Sequence, residues 1–357
     1  MSRTRRSLAA TRVAALFGLL ALSTAACGTD DDPATTGNAW PSTSTPVATD
    51  GLIWASGSTV HLPDGSTMDT EALAGAYVVA GPGVWFASAE PGDLEGNELP
   101  ELRVATADGV EETGAHPAIG SLTTSADGRW LAFIDRMEDG AGAAEAVVVD
   151  LTTGAEVVRS SEGLLPSETE GADWTDLYED APVGMLGVVD GAAYVQGLDT
   201  LLTFDLSTGE ATTEDLDWSA ISSADWHRSL HRTAPLWNAD RSWAIAAQEF
   251  GGTPVLESAD GERVTTSVSD ATGPLGSPDV SGPPLEEWSL GGWIDETTVV
   301  AITPSRDGFD VDWRMPVLLA CTVPTGECTV VEGTEDGVNL PADRPYGLPR
   351  ESSIDPG

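Results

Sequence analysis

The side chains best suited to chemistry are scarce: three cysteines and four histidines in 357 residues. Cys321 and Cys328 sit seven positions apart in ACTVPTGECTVV, a spacing open to a redox pair, half of a metal site or a structural staple. His227 and His231, in WHRSLHR, stand four apart, so a helix would put both on one face with spacing that suits zinc or copper. The glutamate of a zinc-protease motif is absent and Arg228 and Arg232 are poor neighbours for a cation, so a polar loop or short helix is the better reading. His61 and His116 lie beside turns with no nucleophile motif. Two acidic clusters offer oxygen ligands for calcium: Asp307, Asp310 and Asp312 in DGFDVD, and Asp173, Asp176 and Asp180 in DWTDLYED. Neither follows the EF-hand order. Calcium is therefore the one cofactor considered, with the first cluster as its candidate site. No Gly-x-Ser-x-Gly elbow occurs, and a phosphate loop with its lysine is ruled out because all 16 basic residues are arginine. Paired carboxylates say little among 58 acids. Nothing specific points to an enzyme.

The formal net charge of −42 repels nucleic acid and anionic surfaces and favours cations or basic partners. The length allows one large domain or two ordinary ones. The first residues differ from the rest. MSRTRRSLAATR carries four arginines and runs into VAALFGLLALSTAAC, the layout of a secretory signal peptide rather than a membrane span.

Thr24, Ala25 and Ala26 directly precede Cys27. This resembles a bacterial lipobox, with Thr24 where the family usually has leucine. The resemblance implies removal of residues 1–26, lipidation of Cys27, and anchoring by palmitate-type acylation at the extracytoplasmic face of the cell membrane. Residues 27–49, rich in Asp, Ser, Thr and Pro, lack the apolar content for a core and read as a flexible tether. Beyond the signal, 12 arginines face 58 acids, a net of −46.

The body shows short apolar and aromatic runs between glycine turns, the pattern of many short strands. One turn recurs with its glycine at 65, 109, 154, 209, 261 and 326, spaced by 44, 45, 55, 52 and 65 residues. A second turn precedes each by about one hairpin, and an aromatic usually opens the strand after it: Trp54, Trp85, Trp130, Tyr194 and Trp243. Two turns per unit mean four strands per unit, and four strands in ~40–50 residues make one blade of a β-propeller.

The third copy, TTSADGRWLAFIDRMEDGAGAAEAVVVDLTTGAEVV, resembles the TolB-like and WD-type propeller repeats of secreted bacterial proteins. The resemblance implies an all-β chain: a single propeller of four-stranded antiparallel blades over residues 50–348, followed by a tail, 349–357. Six copies suggest six blades, with a seventh, degenerate one as the alternative. The first copy has a weak innermost strand, which VNLPADRPYGLP near the C-terminus is placed to supply.

With strands lettered A to D from axis to rim, the short A–B and C–D turns share one face and the long B–C and D–A loops the other. That loop face is acidic and carries Trp174, Trp218, Trp226 and Trp313, each next to an aspartate. Exposed rings beside carboxylates suit a sugar or a cationic peptide. The structural alternative, weightier for large aromatics, is that the rings pin the insertions to the sheets. The leading expectation is a monomeric, lipid-anchored binding or scaffolding module meeting an envelope protein or glycan. The alternatives are a propeller enzyme of the envelope, glycan-active or a metal-assisted hydrolase, and a calcium-stabilised structural lipoprotein. Cys321 and Cys328 flank the sixth C–D turn, where hairpin strands bring them within reach of a disulfide in an oxidising compartment. A bulge at that turn would offset the pair by one.

Overall fold

The computed structural model describes residues 40–348, except 73–75, 89–99, 119, 137–143, 165–182, 231–236, 247–252, 269–287, 304–305, 309–310, 315, 335–336 and 345–346. The signal segment, Cys27, Trp174, Asp310 and the 173–180 acidic cluster lie outside the described residues.

Six antiparallel sheets follow one another along the described chain. The first holds β1 (Trp54–Ser56), β2 (Thr59–His61) and β3 (Thr67–Asp69). The second holds β4 (Ala76–Ala80), β5 (Gly83–Ser88), β6 (Glu101–Thr106) and β7 (Gly109–Glu112). In the third come β8 (Thr123–Thr124), β9 (Trp130–Asp135), β10 (Glu145–Asp150) and β11 (Ala155–Ser160). The fourth holds β12 (Gly184–Val189), β13 (Ala192–Gln196), β14 (Thr200–Asp205) and β15 (Ala211–Asp215). Two short helices, α1 (Trp218–Ser223) and α2 (Asp225–Leu230), then precede the fifth sheet, made of β16 (Trp243–Ile245), β17 (Val255–Ser258) and β18 (Arg263–Thr265). After β19 (Ser267–Val268), the sixth is built from β20 (Ser289–Trp293), β21 (Thr298–Ile302), β24 (Leu318–Thr322) and β25 (Glu327–Val330). A small hairpin of β22 (Arg306–Gly308) and β23 (Val311–Arg314) interrupts it, and β19 pairs in parallel with the outer edge of β25. Each sheet is a simple meander that cannot bury both of its apolar faces alone. Stacked in series, such sheets form a β-propeller.

The seams between sheets show why the strands alternate as they do. Separate apolar clusters join the first sheet to the second around Tyr77 and Phe86, and the second to the third around Trp85 and Phe133. Others join the third to the fourth around Ile134 and Phe204, the fifth to the sixth around Leu256 and Leu319, and the sixth to the first around Trp54 and Leu318. Trp54, Trp85 and Trp130 are buried at the start of their second strands, the packing role their periodicity predicts. Among the described residues, no such cluster spans the fourth and fifth sheets.

Two chain segments lock the ring. Asn339 and Ala55 exchange both backbone hydrogen bonds at 2.9 Å, so the C-terminal stretch supplies the inner strand that the first sheet lacks. The segment then crosses the neighbouring inner strands. Ala342 N–H donates to Tyr77 O at 2.8 Å, Asp343 accepts from the Thr124 amide and hydroxyl, and Arg344 reaches Thr49 O at 2.7 Å. Asp343 and Arg344 are both buried.

The tether expected over residues 27–49 is shorter at its C-terminal end. Trp40 N–H donates to Gly154 O at 3.2 Å, and Thr43 and Val47 amides donate to Leu151 O and Gly81 O at 2.9 Å. The Trp40 ring lies 6.1 Å from that of Trp85 and 5.9 Å from that of Phe133. Composition alone hid this strap, because one large ring and three backbone bonds dock a segment that is otherwise small and polar.

Cys321 and Cys328 are directly opposite in the β24–β25 register and joined by a disulfide with Cα atoms 3.9 Å apart. The Gly326 turn takes up the reversal at φ +70° without offsetting the pair. For the eight residues from 321 to 328, loop entropy gives about 2.5 kcal/mol. Both sulfurs lie in the cluster joining the fifth and sixth sheets, so the bridge also packs.

Much of the turn-face acidity closes turns. Asp64 accepts from Ser66, Asp205 from Ser207, Asp240 from Ser242 and Asp295 from Thr297, each amide bond spanning two residues at 2.7–2.9 Å. Asp150 accepts from Thr152 in the same way and also from Arg129 Nη2 at 2.7 Å. Burial alone would raise its carboxyl, but these bonds hold it at about 2. The folded value lies below the unfolded one, so the stabilisation is complete above about pH 4 and is lost as pH falls through 2. Because the Arg129 side chain is half exposed, roughly 1–2 kcal/mol is expected. Arg129→Ala should lower the melting temperature at pH 7, and its gap from the parent should close as pH approaches 2. A gap independent of pH would assign the loss to packing of Arg129 on the Trp130 ring, 4.4 Å away.

Candidate functional site

The A–B and C–D turns crowd one face, so the long connections fall on the other. At the loop-face end of the third sheet, Arg159 bonds Asp135, Glu145 and Glu156 at 3.0, 2.7 and 2.8 Å. One guanidinium shared by three carboxylates is a structural clasp, which the widely separated sequence positions do not reveal.

The helical insertion after the fourth sheet is the best-defined feature of the loop face. Asp217 caps α1: its carboxylate accepts from the Ser219 and Ala220 amides, a local start signal readable as DWSA. The cap leaves Trp218, the first helical residue, 49% exposed. Ile221 points inward and is buried. On α2, Trp226 is half-buried and stacks on Tyr194 of β13, with centroids 3.9 Å apart and planes at 5°. Burial, with Asp190 nearby, raises the Tyr194 phenol above its ordinary value, so the stacked ring is neutral. Leu230 closes the helix over Gly187 of β12, where any β-carbon would stand 2.5 Å from Leu230 Cδ2. Gly187, at φ +149°, is the backbone gap that lets α2 lie against the sheet.

The predicted site residues thus divide. Trp226 pins the insertion while Trp218 projects from it. His227 lies on α2, and its ring meets Trp226 edge-on at 5.5 Å; its predicted partner His231 is outside the described residues. Asp307 falls in β22, and Asp312 and Trp313 in β23, with side chains outside the described set. Among the described residues no group of three His, Cys, Asp or Glu is placed to hold a metal ion. His61 stacks on Trp54 at 3.7 Å, and burial lowers its pKa, the environment of a packed ring. No described helix is long and apolar enough to cross a membrane.

One residue was not singled out from sequence. Trp237, bridged to Ala244 at the inner edge of the fifth sheet, is 43% exposed. Its only signal is an aromatic just before the Asn238–Asp240 turn, the place that Trp293 takes before the turn of the sixth copy. Trp218 and Trp237 are the exposed large hydrophobic side chains among the described residues.

No sequence family and no curated protein matches the chain. Among solved structures it is similar to dihydro-heme d1 dehydrogenase NirN in complex with DHE, at 14% identity over 82% of this chain and 56% of that one, with TM-score 0.27. It thus spans little more than half of that structure's length. It is also similar to the β-propeller domain of the Trilobed protease from Pyrococcus furiosus (11% identity, 74% and 72% covered, TM-score 0.26). A putative TolB from Agrobacterium tumefaciens is similar at 15% identity, with 78% and 80% covered and TM-score 0.24. At such low scores the propeller assignment rests on this chain's own serial sheets.

Proposed function

We propose that the chain is a lipoprotein held at the extracytoplasmic face of the cell membrane through Cys27. Its six-bladed, monomeric propeller acts as a non-catalytic module that binds an envelope partner on the acidic loop face. The observation that carries the binding role is Trp218: a large ring held half-exposed by its capped helix, among carboxylates, where a purely structural ring would be buried. The anchor rests on the Thr24-Ala25-Ala26-Cys27 motif.

The test uses the full chain in its native envelope. A photo-crosslinking side chain at Ser222, exposed on α1, should capture a partner, and Trp218→Ala should cut capture at least fivefold without moving the melting temperature. Cys27→Ala should shift the protein from the membrane to the soluble fraction. Capture indifferent to Trp218 would remove the binding role, and a Cys27→Ala chain that stays on the membrane would remove the anchor.

A further inference from the structure

The strap at residues 40–47 fixes where the chain enters the propeller. Its backbone bonds end on Gly154 O and Leu151 O at the C–D turn of the third sheet and on Gly81 O at the A–B turn of the second. Trp40 Nε1 adds a bond to Glu156 Oε2 of β11 at 3.2 Å. The turns are shaped to receive it. At Gly154, φ +72°, any β-carbon would stand 2.5 Å from Trp40 O and 3.2 Å from Ser42 Oγ. Gly81 N–H donates to Gly128 O at 2.9 Å, which ties the A–B turns of the second and third sheets together. Each partner of the strap belongs to a turn or to the strand that leaves it. The chain therefore enters on the turn face, opposite the loops that carry α1.

Thirteen peptide steps separate Cys27 from Trp40. Drawn out fully they reach about 45 Å, and a coil of that length spans about 20 Å on average. Turning the loop face to a bilayer would lift Trp40 by the depth of the body. Six-residue strands such as β11 supply about 20 Å of that depth, and the ~10 Å diameter of a helix such as α1 adds to it. The sum, about 30 Å, lies within the contour of the segment but beyond its average span. Turning the turn face down needs no such extension. Charge works the other way. Asp64, Asp190, Asp205 and Asp260 are exposed on turns of this face against Arg241, while Arg129 and Arg263 pair with Asp150 and Glu257. Repulsion from an anionic bilayer is screened within about 8 Å, and the segment lets the body stand off farther than that. Geometry thus sets the orientation, and charge sets the gap.

We infer that the anchored propeller presents the turn face of its second and third sheets to the bilayer and holds its loop face, with α1, away from it. The inference rests on the Cys27 anchor proposed above and adds a direction to it. A partner of the loop face then approaches from the side remote from the lipid.

The experiment inserts the lipidated full chain into preformed phosphatidylcholine vesicles that carry an acceptor dye on the headgroup. A donor dye is attached through an encoded azide side chain at Ala126, exposed on the A–B turn of the third sheet, or at Ser222, exposed on α1. Energy transfer should be several-fold stronger from Ala126 than from Ser222, and the order should hold when phosphatidylglycerol is added. A Gly-Ser insert of about 24 residues after Gly28 raises the contour to about 125 Å, enough to pass around the body, and should bring the two signals together. Transfer from Ser222 that equals or exceeds that from Ala126 in the parent would overturn the orientation, as would a difference that the insert leaves unchanged. Either result leaves the anchor standing, provided that Cys27→Ala abolishes transfer. If the Cys27→Ala chain transfers as strongly as the parent, the anchor and the orientation fall together.

Discussion

Truncating the chain after Gly337 is expected to abolish the cooperative unfolding transition or to lower the melting temperature by more than about 10 °C. The removed segment carries Val338 and Leu348, both buried against Trp54, Val300 and Leu318. Each such side chain contributes about 1.5–3 kcal/mol by burial alone. With it go the Asn339–Ala55 backbone pair, the Asp343 bonds to Thr124 and the Arg344 bond to Thr49. The sum exceeds about 5 kcal/mol, comparable with the whole stability of an ordinary domain. Thermal melts followed by near-ultraviolet circular dichroism would show it. A truncated chain melting within a few degrees of the parent would mean that the first sheet does not depend on its borrowed strand. A milder variant separates closure from bulk: Asp343→Ala leaves the buried Thr124 amide without its side-chain acceptor and should cost about 1–3 kcal/mol.

A single methyl group at Gly83 is expected to have the second largest effect. Gly83 opens β5 directly after the A–B turn of the second sheet, and a β-carbon there would stand 1.9 Å from Ala105 O and 2.9 Å from Ala105 C. Both atoms are backbone of β6, fixed by the β5–β6 ladder and by the buried Val84, Trp85 and Val104 around it. No rotamer relieves the clash, so the ladder must separate. Gly83→Ala should cost about 3 kcal/mol or more, read as a fall in melting temperature of several degrees. Gly184→Ala is the control: its β-carbon meets nothing within 4 Å and its φ is ordinary, so the change should be within about 0.5 kcal/mol. If the two variants melt alike, the close approach at Gly83 is not a constraint.

The parts of this fold that can be read from sequence are those written locally and repeatedly. The glycines at 65, 154, 209, 261 and 326 adopt positive φ between +70° and +86°, with Gly109 at +129°, because each closes the same turn. Repetition made the strand order, the tryptophans at the starts of second strands and the Cys321–Cys328 pairing visible. The Asn339–Ala55 closure was foreseen only because the first copy visibly lacks a strand. What stayed hidden depends on single long-range contacts. Trp40 looks like part of a soluble linker until Trp85 and Phe133 are brought beneath it. Trp218 and Trp226 share the same Asp-Trp context, yet one is exposed and the other stacked, because only Trp226 finds Tyr194.

Closure by the final strand also bears on how the molecule is made. Ala55 and Asn339 are 284 positions apart, so closing that loop from a disordered chain would carry an entropic cost of about 5 kcal/mol from its length term alone. The cost falls only when the intervening sheets have already formed and brought the ends near. Ring closure should therefore be the late, slow step, and it cannot begin before residues 338–348 have left the ribosome. Until then Trp54, Val300 and Leu318 await the side chains that cover them. The acidity of the chain acquires a second use in that interval, since like-charged, incompletely closed chains repel one another while their apolar surfaces are bare.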